Sequence, residues 1–147
     1  MPTSSKLTVK TKASLTLFNN LLIDASERII QVCLNGSVAL TTADRAKIRV
    51  PSFLNGMNLV SVAANCGLDN SSGSSSSGTP TITVQNGATS MLTTNPAFSV
   101  GGYEPSTAAV IYTAHDDVAT GNIINVETSV AGTGVTYMIV TLVFRLP

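Results

Sequence analysis

In the closing stretch VTYMIVTLVFRLP, Met138, Val140, Leu142, Phe144 and Leu146 occupy alternate positions, in a register that Thr136 begins beside a turn. The other register holds Val135, Tyr137, Ile139, Thr141, Val143 and Arg145. Alternation with period two, enriched in β-branched residues, predicts a strand with one face in a core and the other mixed. Tyr137, Ile139 and Val143 make that mixed face apolar enough to be a candidate contact with a second subunit.

Similar short runs recur along the chain: KLTVKT, SLTLF, RIIQVCL, SVALT, AKIRV, NLVSVAANC, TITVQN, AAVIY and NIINVETSV. Turn signals separate them, at Asn35-Gly36, Asn55-Gly56, Asn86-Gly87, Gly101-Gly102, Gly121-Asn122 and Gly132-Thr133-Gly134. Eight or more strands at this spacing predict an all-β sandwich or barrel. No run sustains a helical period, although LIDASERII has room for a short turn.

The 147 residues suffice for one domain with a real core. Residues 21–147 are expected to form it, with the low-complexity stretch DNSSGSSSSG at 69–78 as a flexible loop between two strands. Residues 1–20 read as an N-terminal arm, a docking or strand-exchange segment. In it Leu7 and Val9 alternate with Lys6, Lys10 and Lys12, a pattern suited to adding a strand to a neighbour's sheet edge.

Only 11% of residues are charged, while 17 Ser and 19 Thr fill much of the space between apolar runs. So neutral a surface suits a protein whose faces are covered by partners. The formal charge is zero, yet residues 1–50 carry seven Lys/Arg against three Asp/Glu, and residues 51–147 carry one against five. The basic half is too sparse for nucleic-acid binding, which asks for a dense patch, and fits an acidic protein surface instead. Cys33 and Cys66 could form one disulfide, but they make no compact cysteine framework and read as small buried hydrophobes. The start MPTSSKLTVKTKAS has no apolar signal region, and VTYMIVTLVF is about half the length of a membrane span. Neither secretion nor a membrane partner is expected.

The one concentration of chemically capable residues is AHDDVATGN, where His115, Asp116 and Asp117 adjoin. They are low-probability candidates for a metal site, because adjacent side chains on a strand point to opposite faces and cannot converge on one ion. An Asp near the start and a Gly near the end are what a surface corner uses. No Ser lies in a nucleophile-elbow setting, and the Gly-rich turns open no helix, so neither catalysis nor a cofactor is expected. Tyr103, Tyr112, Tyr137, Phe53 and Phe98 could form a sugar-binding shelf, but scattered aromatics in a β-protein are more often core or interface.

Five segments in order, IRVPSFLNGMNLVSV (48–62), TPTITVQN (79–86), SMLTT (90–94), TAAVIYTAHDDVATGN (107–122) and VAGTGVTYMIVTLVFRLP (130–147), resemble a module of tailed-bacteriophage virion proteins. The strand after the ATG turn, NIINVETSV, is more apolar here than in that family. The resemblance covers about residues 45–147 and implies a jelly-roll-like antiparallel β-sandwich with an extended N-terminal arm. It implies a non-enzymatic structural protein on the capsid exterior, made in the host bacterial cytoplasm. A capsid decoration or cement protein is expected, a homotrimer bridging major capsid proteins or other virion proteins. The alternative is a head-fibre or tail-fibre component that binds a receptor or glycan. On this reading the candidate contact residues are Lys6, Leu7, Val9, Lys10, Lys12, Tyr137, Ile139 and Val143.

Overall fold

The computed structural model describes residues 27–35, 45–68, 80–130 and 135–147. The N-terminal arm, the 69–78 loop, the SVALT run and the Gly132–Gly134 turn lie outside them. The described residues form an all-β, antiparallel sandwich with no α-helix and one short 3-10 turn at Ser52–Leu54.

The first sheet is ordered β1 (Arg28–Asn35), β12 (Val135–Arg145), β3 (Met57–Leu68) and β10 (Asp117–Val118). The second is ordered β2 (Arg45–Arg49), β11 (Ile123–Val130), β4 (Thr81–Asn86), β7 (Ala97–Phe98) and β8 (Pro105–Thr107), with β5 (Thr89–Ser90) also on β4. A short pair, β6 (Leu92–Thr94) with β9 (Val110–Ile111), stands apart. Neighbours in each sheet are mostly distant in sequence, so the chain crosses repeatedly between the layers and both must form for either to be complete.

Alternation places the core. On β12 Met138, Val140, Leu142 and Phe144 are fully buried, facing Ile82, Val84, Ile124 and Val126 of the second sheet. Two details depart from the sequence pattern. A register shift between Val135 and Tyr137 turns Val135 into the core, so that the buried register starts there and not at Thr136. At the other end Leu146 follows the last paired residue and is exposed, since no strand remains to hold it over the core. The AAVIY run forms a strand only at Val110–Ile111, because its neighbour β6 offers three residues for pairing.

Turn chemistry agrees with the sequence. At Asn86-Gly87, Gly87 has φ +64° at the first central position of the two-residue β4–β5 hairpin, where a right-twisted hairpin favours Gly. The LIDASERII run ends inside a strand, as Arg28 to Ile30 pair with Phe144 to Leu142. Beside that pairing, Arg145 Nε donates to Glu27 Oε1 at 3.1 Å, a surface ion pair.

Because Phe144 is fully enclosed in the core, Phe144→Ala should lower unfolding free energy by about 3–5 kcal/mol. Urea denaturation monitored by circular dichroism measures this, and a change under about 1 kcal/mol, that of an ordinary substitution, would refute the register.

Candidate functional site

Residues 114–122 form the junction between the two sheets. The Asp116 carbonyl accepts from Leu59 N at 2.8 Å, and β10 pairs Asp117 with Asn58 and Val118 with Met57, all in the first sheet. Five residues on, Val50 N donates to the Asn122 carbonyl at 2.8 Å and Gly121 N donates to the Val50 carbonyl at 2.9 Å, in the second sheet. Gly121 sits at φ +88°, a left-handed conformation that a side chain would strain.

Asparagines replace the backbone ladder where the chain switches layers. Asn122 Oδ1 accepts from Ala119 N at 2.8 Å and from Asn86 Nδ2 at 3.2 Å. Asn55 Oδ1 accepts from Thr120 N at 2.9 Å and Thr120 Oγ1 at 3.2 Å. A corner that leaves both ladders must find partners for its amides, and short amide side chains supply them.

The histidine and two aspartates are placed by this geometry and do not converge. His115 is exposed, with its ring edge-on to Tyr112 at 4.6 Å between centroids. Asp116 turns inward, buried, and accepts from Asn58 Nδ2 at 3.1 Å. Asp117 turns outward again. With Asn86 and Thr89, His115 and Asp117 line a shallow hollow of about 210 Å³. Among the described residues no group of three His, Cys, Asp or Glu gathers around a common point.

The outer faces of the two sheets differ in kind. On the second sheet Lys47, Arg49, Asn125 and Gln85 face outward, with Ile123 opposite Arg49, a largely polar surface. On the first sheet the outward register pairs Ile29 with Val143, Gln31 with Thr141, and Cys33 with Ile139. Ile29 is 64% exposed and Tyr137 43%, while Ile139 and Val143 are half-buried. One hydrogen bond, Gln31 Nε2 to Thr141 Oγ1 at 3.3 Å, interrupts this apolar strip. Tyr137 lies over its cross-strand partner Gly67, at the place a Cβ would occupy.

The structure therefore brings Tyr137, Ile139 and Val143 onto one face. Lys6, Leu7, Val9, Lys10 and Lys12 lie outside the described residues. Ile29 and Cys33 join that face across β1, which the β12 pattern alone could not reveal, since cross-strand register is a tertiary fact. Of the five aromatics that could have formed a sugar-binding shelf, Phe98 is in the core, and Phe53, Tyr103, Tyr112 and Tyr137 are exposed. The cysteines separate in the same way. Cys66 is buried on the inward register, donating to the Gly102 carbonyl at 3.2 Å, and burial pushes its thiol up. Cys33 points outward and is exposed, contrary to the expectation that both thiols are buried, because β1 has an open outer face at that position. The two stand on opposite faces of one sheet and do not pair.

What the fold and surfaces define is an antiparallel β-sandwich with one largely polar outer face and one that carries an apolar strip. No protein-family model and no curated protein matches the sequence. In three dimensions the chain is similar to a chain of the "Cyanophage Pam1 capsid asymmetric unit". The TM-score is 0.52 at 15% identity, covering 82% of this chain and 85% of that one. The likeness is one of fold.

Two outcomes follow from the geometry. Asn58→Ala should cost about 1–3 kcal/mol in urea unfolding by orphaning the buried Asp116 carboxylate, whereas Asp117→Ala, at an exposed site, should stay within about 0.5 kcal/mol. In the native protein a thiol-reactive chromophore should modify Cys33 quickly and Cys66 only on unfolding; equal rates would contradict the opposed burial.

Proposed function

We propose that this chain is a non-enzymatic structural protein of a bacteriophage virion, and within that class a capsid decoration protein acting as a homotrimer. The observation that carries the reading is the fold likeness to a cyanophage capsid chain, which spans most of both chains. The asymmetry of the outer faces supports it. A stable protein–protein interface of standard size hides roughly 800 Å² per partner. The strip of Ile29, Tyr137, Ile139 and Val143 is suited to contribute its apolar centre. The amides of residues 119–122, tied to asparagine side chains and carbonyls, give the corner a structural role in joining the two sheets.

The mechanism is mechanical. Each copy buries its apolar sheet face against a neighbour, and the basic arm with Lys6, Lys10 and Lys12 docks on an acidic surface of the major capsid protein or another virion protein. Bridging subunits raises the free energy needed to separate them, because any protein bound only to the closed shell stabilises it by mass action. The site of action is the capsid exterior.

Deleting residues 1–14 should reduce occupancy on purified particles at least tenfold while leaving the circular dichroism spectrum unchanged; full occupancy would refute the docking role of the arm. Quantitative gel densitometry of virions should give hundreds of copies per particle. A few or tens of copies would indicate a fibre component instead, for which glycan-array binding is the direct test.

A further inference from the structure

The segment from Tyr103 to Asp116 runs antiparallel to β3 and is bonded to it at both ends but not in the middle. At one end Cys66 N donates to the Tyr103 carbonyl at 3.0 Å, and at the other Leu59 N donates to the Asp116 carbonyl at 2.8 Å. Between these points the segment gives up its hydrogen bonds to β3, pairing as β8 with β7 and as β9 with β6, although β9 stays beside β3. A groove of about 460 Å³ opens along the abandoned edge, lined by residues 61–65 on one wall and by Pro96, Glu104, Pro105, Ala108 and Ala109 on the other.

Five consecutive residues of one strand can line a groove only where it exposes the strand's edge, since successive side chains leave on opposite faces. The ladder's alternation identifies the free groups. Leu59 and Cys66 direct their N–H groups away from β12, and with the bulge at Val60 the same side belongs to Val62 and Ala64. Among the described residues no backbone partner meets the N–H or C=O of Val62 and Ala64 on that side. Both side chains are buried, so these main-chain groups sit beside the core with their ladder incomplete.

We propose that this groove receives an added β-strand, residues 6–12 of the N-terminal arm of a second copy of this chain. The sequence KLTVKTK alternates Leu7, Val9 and Thr11 with Lys6, Thr8, Lys10 and Lys12, and a strand-addition site reads main-chain groups along the strand and every second side chain. The alanines and prolines of the walls leave room for a backbone and for β-branched or aliphatic side chains. Glu104 is the one charged residue lining the groove, and the chain's first 23 residues carry three lysines and no acid.

The source is a second copy because of where the arm enters. It leads into β1, at the opposite edge of the first sheet, with β12 and β3 intervening. An arm returning to its own β3 would have to cross the outer face. Residues 13–26 reach up to about 46 Å when extended, enough to carry residues 6–12 off β1 to a neighbouring copy without crossing that face. Arm-into-groove contacts are heterologous, and such contacts close into a ring when the rotation between copies permits, completing every groove. The proposal rests on the assembly reading above and gives the homotrimer a physical link.

The test is amide hydrogen exchange with residue-level resolution on the full chain, alongside light scattering after size-exclusion chromatography. The Val62 and Ala64 amides should exchange at least 100-fold slower than unstructured amides in an oligomeric protein. Leu7→Asp with Val9→Asp should release both amides and yield monomers, while the Val140 amide stays protected. Ala108→Trp, which fills the groove from an exposed wall position, should do the same with the arm intact. Fast exchange at Val62 and Ala64 in the unaltered protein would overturn the proposal, as would slow exchange in both variants. Slow exchange that persists in a monomer would mean that the chain's own arm fills the groove. All this is read without particles, so a filled groove combined with no binding to virions would reject the decoration role alone.

Discussion

Everything in this sandwich hangs on β12, which is hydrogen-bonded along both edges and buried along one face. It pairs with β1 over eight register positions and with β3 over ten, so it cannot shift by a residue without breaking two ladders. A one-residue slip would also turn Met138, Val140, Leu142 and Phe144 to the outside and Tyr137, Ile139 and Arg145 into the core. Burial and hydrogen bonding thus enforce the same register. The bulges at both ends of the β3 pairing absorb the mismatch where the strand must turn Val135 inward or follow the bend of β3.

With that sheet fixed, the 114–122 corner has a defined task. It carries the chain from a pairing with β3 to a pairing with β2, and the amides of residues 119–122 are met by asparagine oxygens, by the Val50 carbonyl or by the Ala119 carbonyl within the corner. Asp116 belongs to this framework. Its carboxylate is tied to Asn58 and its carbonyl to Leu59, so its position is set by the strand it caps. The neighbours on either side face solvent because alternation leaves them no other direction.

The same topology that completes the core leaves two things open. One is the apolar outer face of the first sheet; the other is the bare edge of β3 between Leu59 and Cys66. Both lie on the sheet built around β12, while the outer face of the second sheet is largely polar. The proposed assembly, which covers one side of the sandwich and leaves the other in water, fits that division. The low charge and high hydroxyl content of the chain suit it, since covered surfaces need little electrostatic repulsion to stay dispersed.

The all-β class, most strand positions and the buried register of β12 were legible in the sequence because they depend on period-two alternation and on Asn-Gly turns, which are local. The outward side of Tyr137, Ile139 and Val143 was legible for the same reason, and so was the divergence of His115, Asp116 and Asp117. Tertiary structure alone decided the rest. It set Ile29 and Cys33 beside Ile139 and Val143, exposed one cysteine while burying the other, turned Val135 inward through a bulge, and left Leu146 without cover. It also drew residues 104–109 away from β3 to open a groove. Each of these depends on which strand lies beside which, and pairing between segments some 110 residues apart, such as Gln31 and Thr141, leaves no periodic trace in either one.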